Sequence, residues 1–141
     1  MQTPDCVLIR PAHTYDGKQG FSYFEGISAQ SAGSVGLCMH LLVIPPGVRA
    51  KAHLHEHHET TLYGISGTSC AWVGQRLEKF VVIRPGEFFY IPAGMPHWPA
   101  NLSKSEPCTI VLARSDPNEQ ESVVLLPDLE ANVDWSKVAF E

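Results

Sequence analysis

One short segment of this chain concentrates side chains that bind metals or move protons. Residues 51–60 read KAHLHEHHET and place four of the seven histidines beside two glutamates. Imidazole nitrogens and carboxylate oxygens are the usual protein ligands of divalent transition metals. A solvated polar loop is the ordinary alternative, so the spacing of these residues and the rest of the chain must decide between the two.

The spacing within this segment favours a metal site. His53 and His55 are two residues apart, so on a strand both side chains point to the same face. Glu59 stands where the next apolar run begins, and its carboxylate can join them. Two imidazoles and one carboxylate suit Zn, Fe, Mn, Ni or Cu and leave positions open for water or substrate. The sequence therefore predicts a site for one divalent first-row transition metal without specifying which.

A second segment offers a further histidine. Residues 86–101 read GEFFYIPAGMPHWPAN, in which an apolar strand ends in a proline and glycine turn and His97 opens the next strand. If the two segments face each other in a closed barrel, His97 can complete the metal site from across the interior. Met95 and Trp98 flank His97 and are the predicted apolar groups facing a substrate.

The elements that must position these residues are predicted to be strands. Helical periodicity is nearly absent, and short runs of β-branched, aromatic and apolar residues alternate with glycine and proline. We predict strands over residues 6–10, 21–26, 36–44, 60–66, 68–74, 78–83, 87–91, 97–101, 108–114 and 121–127. Residues 13–20 are predicted to be a loop, and residues 128–141 a short helix or an arm across another subunit. The pattern favours one all-β domain over residues 1–141.

Composition excludes several classes of partner. Hydrophobic residues make up 44% of the chain and charged residues 18%, as in globular proteins. The formal net charge is −5, and no long cluster of lysine and arginine occurs, which argues against nucleic acid or an anionic membrane as the main partner. No stretch has the length needed to span a bilayer.

The four cysteines and the N-terminal residues bear on the cellular compartment. The cysteines are widely spaced without a CxxC pair, which excludes a zinc ribbon. The first residues contain no apolar run of signal-peptide length. We therefore expect reduced thiols and a cytoplasmic protein.

The two segments together resemble the paired motifs of the cupin superfamily. Those motifs are G-x5-H-x-H-x3-4-E-x6-G and G-x5-P-x-G-x2-H-x3-N. The matching residues are Gly47, His53, His55 and Glu59 in the first motif, and Gly86, Pro92, Gly94, His97 and Asn101 in the second. The resemblance, closest to small single-domain bacterial cupins, covers residues 47–101. It implies a double-stranded β-helix of jelly-roll type, a metal held by His53, His55, Glu59 and His97, and a homodimer formed by exchanging or pairing edge strands.

One departure from the family pattern concerns the carboxylate ligand. Seven residues, rather than six, separate Glu59 from Gly67, so counting back from Gly67 puts Thr60 at the ligand position. Either a bulge brings Glu59 inward, or the site uses histidines only. His58 and Thr60 are two residues apart, so on a strand their side chains point to the same face. His58 is therefore the alternative fourth ligand.

These observations lead to a function hypothesis with alternatives. The resemblance implies a metal-dependent enzyme acting on a small organic molecule with adjacent oxygen donors, with dioxygenase chemistry ranked ahead of cyclase or isomerase chemistry. In the cyclase or isomerase version, His58 or His40 would move the proton as the catalytic acid or base. The alternatives are a non-catalytic module that binds a small molecule, and a scaffold without metal.

Overall fold

Strands are the main regular secondary structure of the protein. The computed structural model describes residues 4–11, 13–118 and 122–141. The strands are β1 (Thr14–Asp16), β2 (Ser22–Ile27), β3 (Cys38–Ile44), β4 (His53–His55), β5 (Thr60–Ser66), β6 (Ser69–Val73), β7 (Lys79–Ile83), β8 (Phe88–Ile91), β9 (His97–Asn101), β10 (Cys108–Arg114) and β11 (Val123–Leu125). The helices are a single turn, α1 (Ala29–Ala32), and two 3₁₀ helices, η1 (Pro127–Asn132) and η2 (Trp135–Lys137).

The strands form two antiparallel sheets. One has six strands in the order β1-β2-β3-β10-β5-β8, and the other has five in the order β11-β4-β9-β6-β7. Neighbours in each sheet are often distant in sequence, as expected when the chain winds back and forth between two facing sheets. This arrangement confirms the prediction of an all-β jelly-roll barrel.

Most predicted strands are present, and the differences lie near the ends of the chain. The strands predicted over residues 60–66, 97–101 and 108–114 are confirmed at both boundaries. The strand predicted over residues 6–10 is wrong: no sheet edge pairs with this segment, although its composition suits a strand. The predicted loop over residues 13–20 contains β1, which pairs with β2. The last predicted strand shortens to β11, and residue 121 lies outside the described residues.

Two apolar clusters hold the sheets together. Inward side chains of the six-stranded sheet, including Leu42, Ile44 and Ile110, form a core between the sheets. The second cluster covers the outer face of the five-stranded sheet, where Trp98 packs against Trp135 from the C-terminal segment. The segment predicted to be a short helix or an intersubunit arm therefore forms 3₁₀ helices that pack on their own barrel. No helix in the described part of the chain has the length and apolarity to cross a membrane.

The turn between β5 and β6 requires a glycine. Gly67 has a φ angle of 70°, in the left-handed region that residues with a Cβ avoid. A Cβ at this position would also clash with the backbone of Pro107 and Cys108. The closing glycine of the first motif is thus a requirement of the backbone and makes no contribution to binding chemistry.

Candidate metal site

Three of the predicted ligands meet inside the barrel. His53 and His55 lie on β4 and His97 lies on the neighbouring strand β9, directly opposite His53 in the register. The alternation of side chains along β4 turns both of its histidines inward, while Leu54 between them points away. All three histidines are buried.

The geometry of the group suits a single cation. One nitrogen from each of His53, His55 and His97 lies within 4.8 Å of the other two. The ring centroids of His53 and His97 are 4.2 Å apart, and those of His53 and His55 are 5.2 Å apart. Three nitrogens bound to one transition metal at about 2 Å lie roughly 3.4 Å apart, so each pair of these nitrogens has to approach by at most about 1.5 Å to share one cation.

Backbone carbonyls fix the protonation of two of the rings. The Nδ1 atom of His53 lies 2.7 Å from the carbonyl oxygen of Lys51, and that of His97 lies 2.9 Å from the carbonyl oxygen of Met95. A carbonyl oxygen only accepts hydrogen bonds, so each Nδ1 carries the proton and donates it. The Nε2 lone pairs of His53 and His97 are therefore available to a metal, an arrangement that often orients histidine ligands.

Burial also keeps the group uncharged. The pKa of His53 is well below its usual value of about 6.5, because burial disfavours the charged ring and His97 lies close to it. The pKa of His55 is lowered by burial first and then by the charge of Arg114. Burial lowers the pKa of His97 to about 4, against an opposing effect of its bond to Met95. Neutral imidazole is the form that binds metals.

His55 supplies the observation that tests whether a metal fits. Both ring nitrogens of His55 are buried and have no hydrogen-bond partner among the described residues. Leaving a buried polar group without a partner costs about 1–3 kcal/mol, so native proteins rarely do so without a reason. A cation bound by the three rings would give one of these nitrogens a partner. The donor set therefore fits a divalent transition metal.

The structure does not bring Glu59 to the histidines. Its side chain is exposed, and its carboxylate accepts a hydrogen bond of 2.6 Å from the hydroxyl of Tyr90. β5 does contain an irregularity, because Thr109 pairs with Ser66 whereas Ile110 pairs with Gly64. The extra residue therefore lies at the far end of the strand, and Thr60 takes the inward position instead. The expected shift of Glu59 into the site does not occur.

The two predicted proton-transfer groups lie in different places. His58 is buried beside the three histidines, with its ring centroid 4.6 Å from that of His55 and its Nδ1 atom 2.9 Å from the hydroxyl of Ser122. His40 is buried on β3, where its Nδ1 accepts a hydrogen bond from the backbone of Gly26. Of the two, only His58 is grouped with the predicted ligands. His57, by contrast, is exposed and contacts Glu56.

Sequence reasoning missed one inward residue beside the histidines. Arg114, the last residue of β10, is buried, and its Nε donates a hydrogen bond of 3.2 Å to the hydroxyl of Thr60. The sequence did contain an indication of this, because side chains alternate along a strand. Arg114 therefore points to the same face as Ile110 and Leu112, whose side chains are in the core. Arginine at a core-facing position is rare and indicates a specific role.

These residues line a small cavity inside the barrel. His53, His97, Thr60 and Arg114 form its polar side, and the remaining walls are mainly apolar side chains of both sheets. The cavity has a volume of about 50 Å³. Since one water molecule needs about 10–15 Å³ measured in this way, the space admits only a few non-hydrogen atoms.

The predicted substrate-facing residues Met95 and Trp98 do not line this cavity. Trp98 follows His97 on β9 and so points to the opposite face, where its indole nitrogen donates to the carbonyl of Ala50. The prediction is wrong for Trp98, because adjacent residues on a strand point to opposite faces. Met95 precedes β9 and is half-buried outside the cavity lining.

Comparisons with solved structures identify proteins of similar fold. The oxalate decarboxylase of Lactobacillus farciminis, in a formate complex, matches with a TM-score of 0.68 and 17% identity over 90% of this chain and 37% of that chain. An oxalate oxidase in complex with the substrate analogue glycolate matches with a TM-score of 0.65 and 22% identity, over 78% and 57%. The oxalate decarboxylase of Bacillus subtilis, described by its Mn(II) centres, matches with a TM-score of 0.65 and 19% identity, over 91% and 33%.

These likenesses show the fold, and this chain spans between about a third and about three fifths of the matched chains. No curated protein sequence matches it significantly. A family profile described as a cupin domain matches residues 40–113, which is 74 of the 141 residues. That range contains both histidine segments, strands β4 to β9, and all but the outermost residues of β3 and β10. The chain therefore belongs to the cupin family.

Proposed function

We propose that this protein is a metal-dependent cupin enzyme that acts on a small organic molecule with adjacent oxygen donors. The observation that carries the proposal is the group of three buried histidines, with two rings oriented by carbonyls and with His55 lacking a hydrogen-bond partner among the described residues. His53, His55 and His97 would hold one divalent transition metal. The metal, when bound, would supply a Lewis acid or, if redox-active, a centre for reaction with dioxygen.

Oxygenation ranks ahead of cyclisation or isomerisation in this proposal. Three neutral imidazoles are an uncharged ligand set, which suits copper, iron, nickel, manganese or zinc. The structurally similar enzymes are named for oxalate oxidation and decarboxylation, so small oxygen-rich acids are reasonable first substrates to test. The apolar walls of the cavity exclude bulk water from the reacting molecule.

His58 is the residue proposed to move a proton or to serve as a fourth ligand. It lies beside His55, and its Nδ1 atom is within hydrogen-bond distance of Ser122 and 4.0 Å from a carboxylate oxygen of Asp116. A histidine held by a hydroxyl and a carboxylate on one side presents its other nitrogen in a fixed direction. His58→Gln separates the two roles, because loss of a ligand lowers metal content whereas loss of a proton carrier lowers turnover alone.

Metal content is the first test of the proposed function. Protein purified without a histidine tag is analysed for elements, next to His53→Ala, His97→Ala and the control His57→Ala, whose side chain is exposed beside the site. We expect about one first-row metal per chain in the wild type and control, and little in the two site variants. Failure of the wild type to bind Mn, Fe, Ni, Cu or Zn would refute the proposal.

A non-catalytic small-molecule-binding cupin is the second candidate. The same buried group and cavity can retain a ligand without turning it over, and the cavity is small enough to be selective. Oxygen uptake and product analysis with metal-loaded protein and a panel of small acids, oxalate among them, distinguish the two. If the protein binds an acid but does not convert it when loaded with any of the redox-active metals, the second candidate is favoured.

The proposed assembly is a homodimer that pairs the outer faces of the six-stranded sheets. The outward positions of β3, β10, β5 and β8 carry no charged side chain, and Tyr63, Ile65 and Phe88 are exposed there. Because these faces carry no charged side chains, two copies can pack there without bringing negative charges of the two chains together. Light scattering of Phe88→Lys, with Val35→Lys on an exposed loop as control, should show monomers only for the first variant.

A further inference from the structure

The peptide group between Lys51 and Ala52 is held at both ends by hydrogen bonds to side chains. Its carbonyl oxygen, on Lys51, accepts a hydrogen bond of 2.7 Å from Nδ1 of His53. Its N–H, on Ala52, donates a hydrogen bond of 3.1 Å to the carboxylate of Glu130. Since a trans peptide group is planar with its C=O and N–H pointing in opposite directions, these bonds form one continuous chain from Glu130 to the ring of His53.

Glu130 reaches this peptide group from seventy-eight residues further along the chain. It lies in η1, and Leu126 and Leu129 beside it pack against the apolar cluster that contains Ala52. The backbone N–H of Leu126 also donates to the carbonyl oxygen of Ala52 at 2.8 Å. Residues 126–141 therefore bind both polar backbone groups of Ala52, which is itself 1% exposed.

The strand that carries two of the predicted ligands depends on this part of the chain for its position. Among the described residues, β4 pairs with β9 only at His53, opposite His97. On its other edge, β4 pairs with β11 along all three residues of both strands, and β11 leads into η1. The hydrogen bond from Ala52 to Glu130 secures β4 at the end where His53 begins the strand.

We propose that Glu130 is a positioning residue for the metal, acting on His53 through the peptide group between Lys51 and Ala52. This inference rests on the proposed function, since the metal is what the ring of His53 would bind. The hydrogen bond from Ala52 to Glu130 fixes the plane of the peptide group, and so the direction in which the ring of His53 presents Nε2. The bond also polarises the peptide group, because hydrogen bonds in a chain strengthen one another. A stronger acceptor at Nδ1 makes Nε2 a better metal ligand.

The ring of His97 is oriented without such a carboxylate. Its Nδ1 lies 2.9 Å from the carbonyl oxygen of Met95, and the residue after Met95 is Pro96. Proline has no N–H, so this peptide group cannot donate to an acceptor at its other end. The effect of Glu130 is therefore specific to His53, and His97 serves as an internal control.

The affinity of the full chain for Zn²⁺, measured by competition with a chromophoric chelator, tests the inference. Loss of a group that orients a histidine ligand typically lowers metal affinity about 10–100-fold, and we expect about tenfold for Glu130→Ala because a peptide group stands between. In Glu130→Gln the amide oxygen still accepts from Ala52, so we expect a loss of less than about threefold. Asp134→Ala is the control, because Asp134 caps η2 through Ser136 and should leave the affinity unchanged.

The ring of His53 in metal-free protein gives a second readout that does not depend on metal binding. Nitrogen NMR distinguishes a ring protonated at Nδ1 from one protonated at Nε2. We expect His53 to be protonated at Nδ1 alone in the wild type and to show a detectable fraction of the Nε2 form in Glu130→Ala, with His97 unchanged. A purely structural role of Glu130 would lower the free energy of unfolding but leave both the Zn²⁺ affinity and the His53 ring as in the wild type.

Three outcomes overturn the inference: unchanged Zn²⁺ affinity in Glu130→Ala, an equal loss in Asp134→Ala, or an equal loss in Glu130→Gln. If Glu130→Ala does not fold, as judged by near-UV circular dichroism, Glu130→Asp replaces it, because the shorter side chain withdraws the carboxylate from Ala52. If the wild type binds no first-row metal, the proposed function fails and the NMR readout decides the inference. A mixed His53 ring in Glu130→Ala then supports the positioning role, and an unchanged ring overturns it.

Discussion

The buried histidines predict a steep pH dependence of stability in the metal-free protein. Burial lowers the pKa values of His53, His55 and His97 in the folded state, whereas unfolded histidine has a pKa of about 6.5. The unfolded chain therefore takes up protons below about pH 6.5 that the folded chain excludes. The stability contribution is fully present above pH 6.5 and falls as pH decreases. For His97 the loss continues to about pH 4, where its folded form titrates.

The magnitude follows from linkage. When the pH falls from 7.5 to 5.5, each histidine that stays neutral in the folded state lowers the free energy of unfolding by about 1.4 kcal/mol. The three together lower it by about 4 kcal/mol. A domain of this size has a total stability of about 5–15 kcal/mol, so the effect is a large share of it. Urea unfolding of chelator-treated protein at the two pH values measures the change directly, provided that the m value stays constant.

A single substitution isolates one histidine from other titrating groups. In His97→Gln the difference between the two pH values should shrink by about 1.4 kcal/mol, because the neutral amide removes one proton-binding site from the unfolded chain. His57→Gln, at an exposed position, should leave the difference as in the wild type. An unchanged difference in His97→Gln, or a wild-type protein that is equally stable at both pH values, would refute the reasoning.

Three further predictions concern residues around the site. Glu59→Gln should keep the metal content of the wild type, because the carboxylate contacts Tyr90 outside the site; loss of the metal on elemental analysis would return Glu59 to the ligand set. Asn101→Ala should lower the unfolding free energy by about 3 kcal/mol or more in urea titration, because the buried amide nitrogen donates to three backbone carbonyls; a loss under about 1 kcal/mol contradicts this. Trp135→Ala should cost about 3–5 kcal/mol of stability in the same assay with metal content unchanged, since its ring fills the cluster outside the five-stranded sheet; a parallel loss of metal would show that the C-terminal segment shapes the site.

The histidine pair was predictable from the sequence because it depends on one local rule. Residues two apart on a strand share a face, so His53 and His55 point together if their segment is a strand, although no strand was predicted there by composition. The same rule, applied to β10, places Arg114 inward with Ile110 and Leu112. It also excludes Trp98 from the face that His97 occupies. The alternation of side chains along a strand is therefore the most useful rule for predicting this site from the sequence.

The position of Glu59 could not be predicted because it depends on pairing between distant strands. The sequence shows one extra residue between Glu59 and Gly67, but a bulge can absorb it anywhere along β5. The register with β10 places the extra residue near Ile65, at the end of β5. The start of β5 is therefore regular, and Thr60 points inward. The role of His40 also depends on strand pairing, because its Nδ1 accepts a hydrogen bond from Gly26, fourteen residues earlier on the neighbouring strand β2.

The motif residues divide into those that build the barrel and those that carry chemistry, and only the second group argues for a metal. Gly67 and Asn101 are explained by a left-handed turn and by three backbone carbonyls, and a cupin without metal would need them equally. His55 has no such explanation. If no cation bound there, its two buried nitrogens would each cost about 1–3 kcal/mol, and an apolar side chain of similar volume would make the fold more stable. A bound metal would give one of these nitrogens a partner, which the described part of the barrel does not supply.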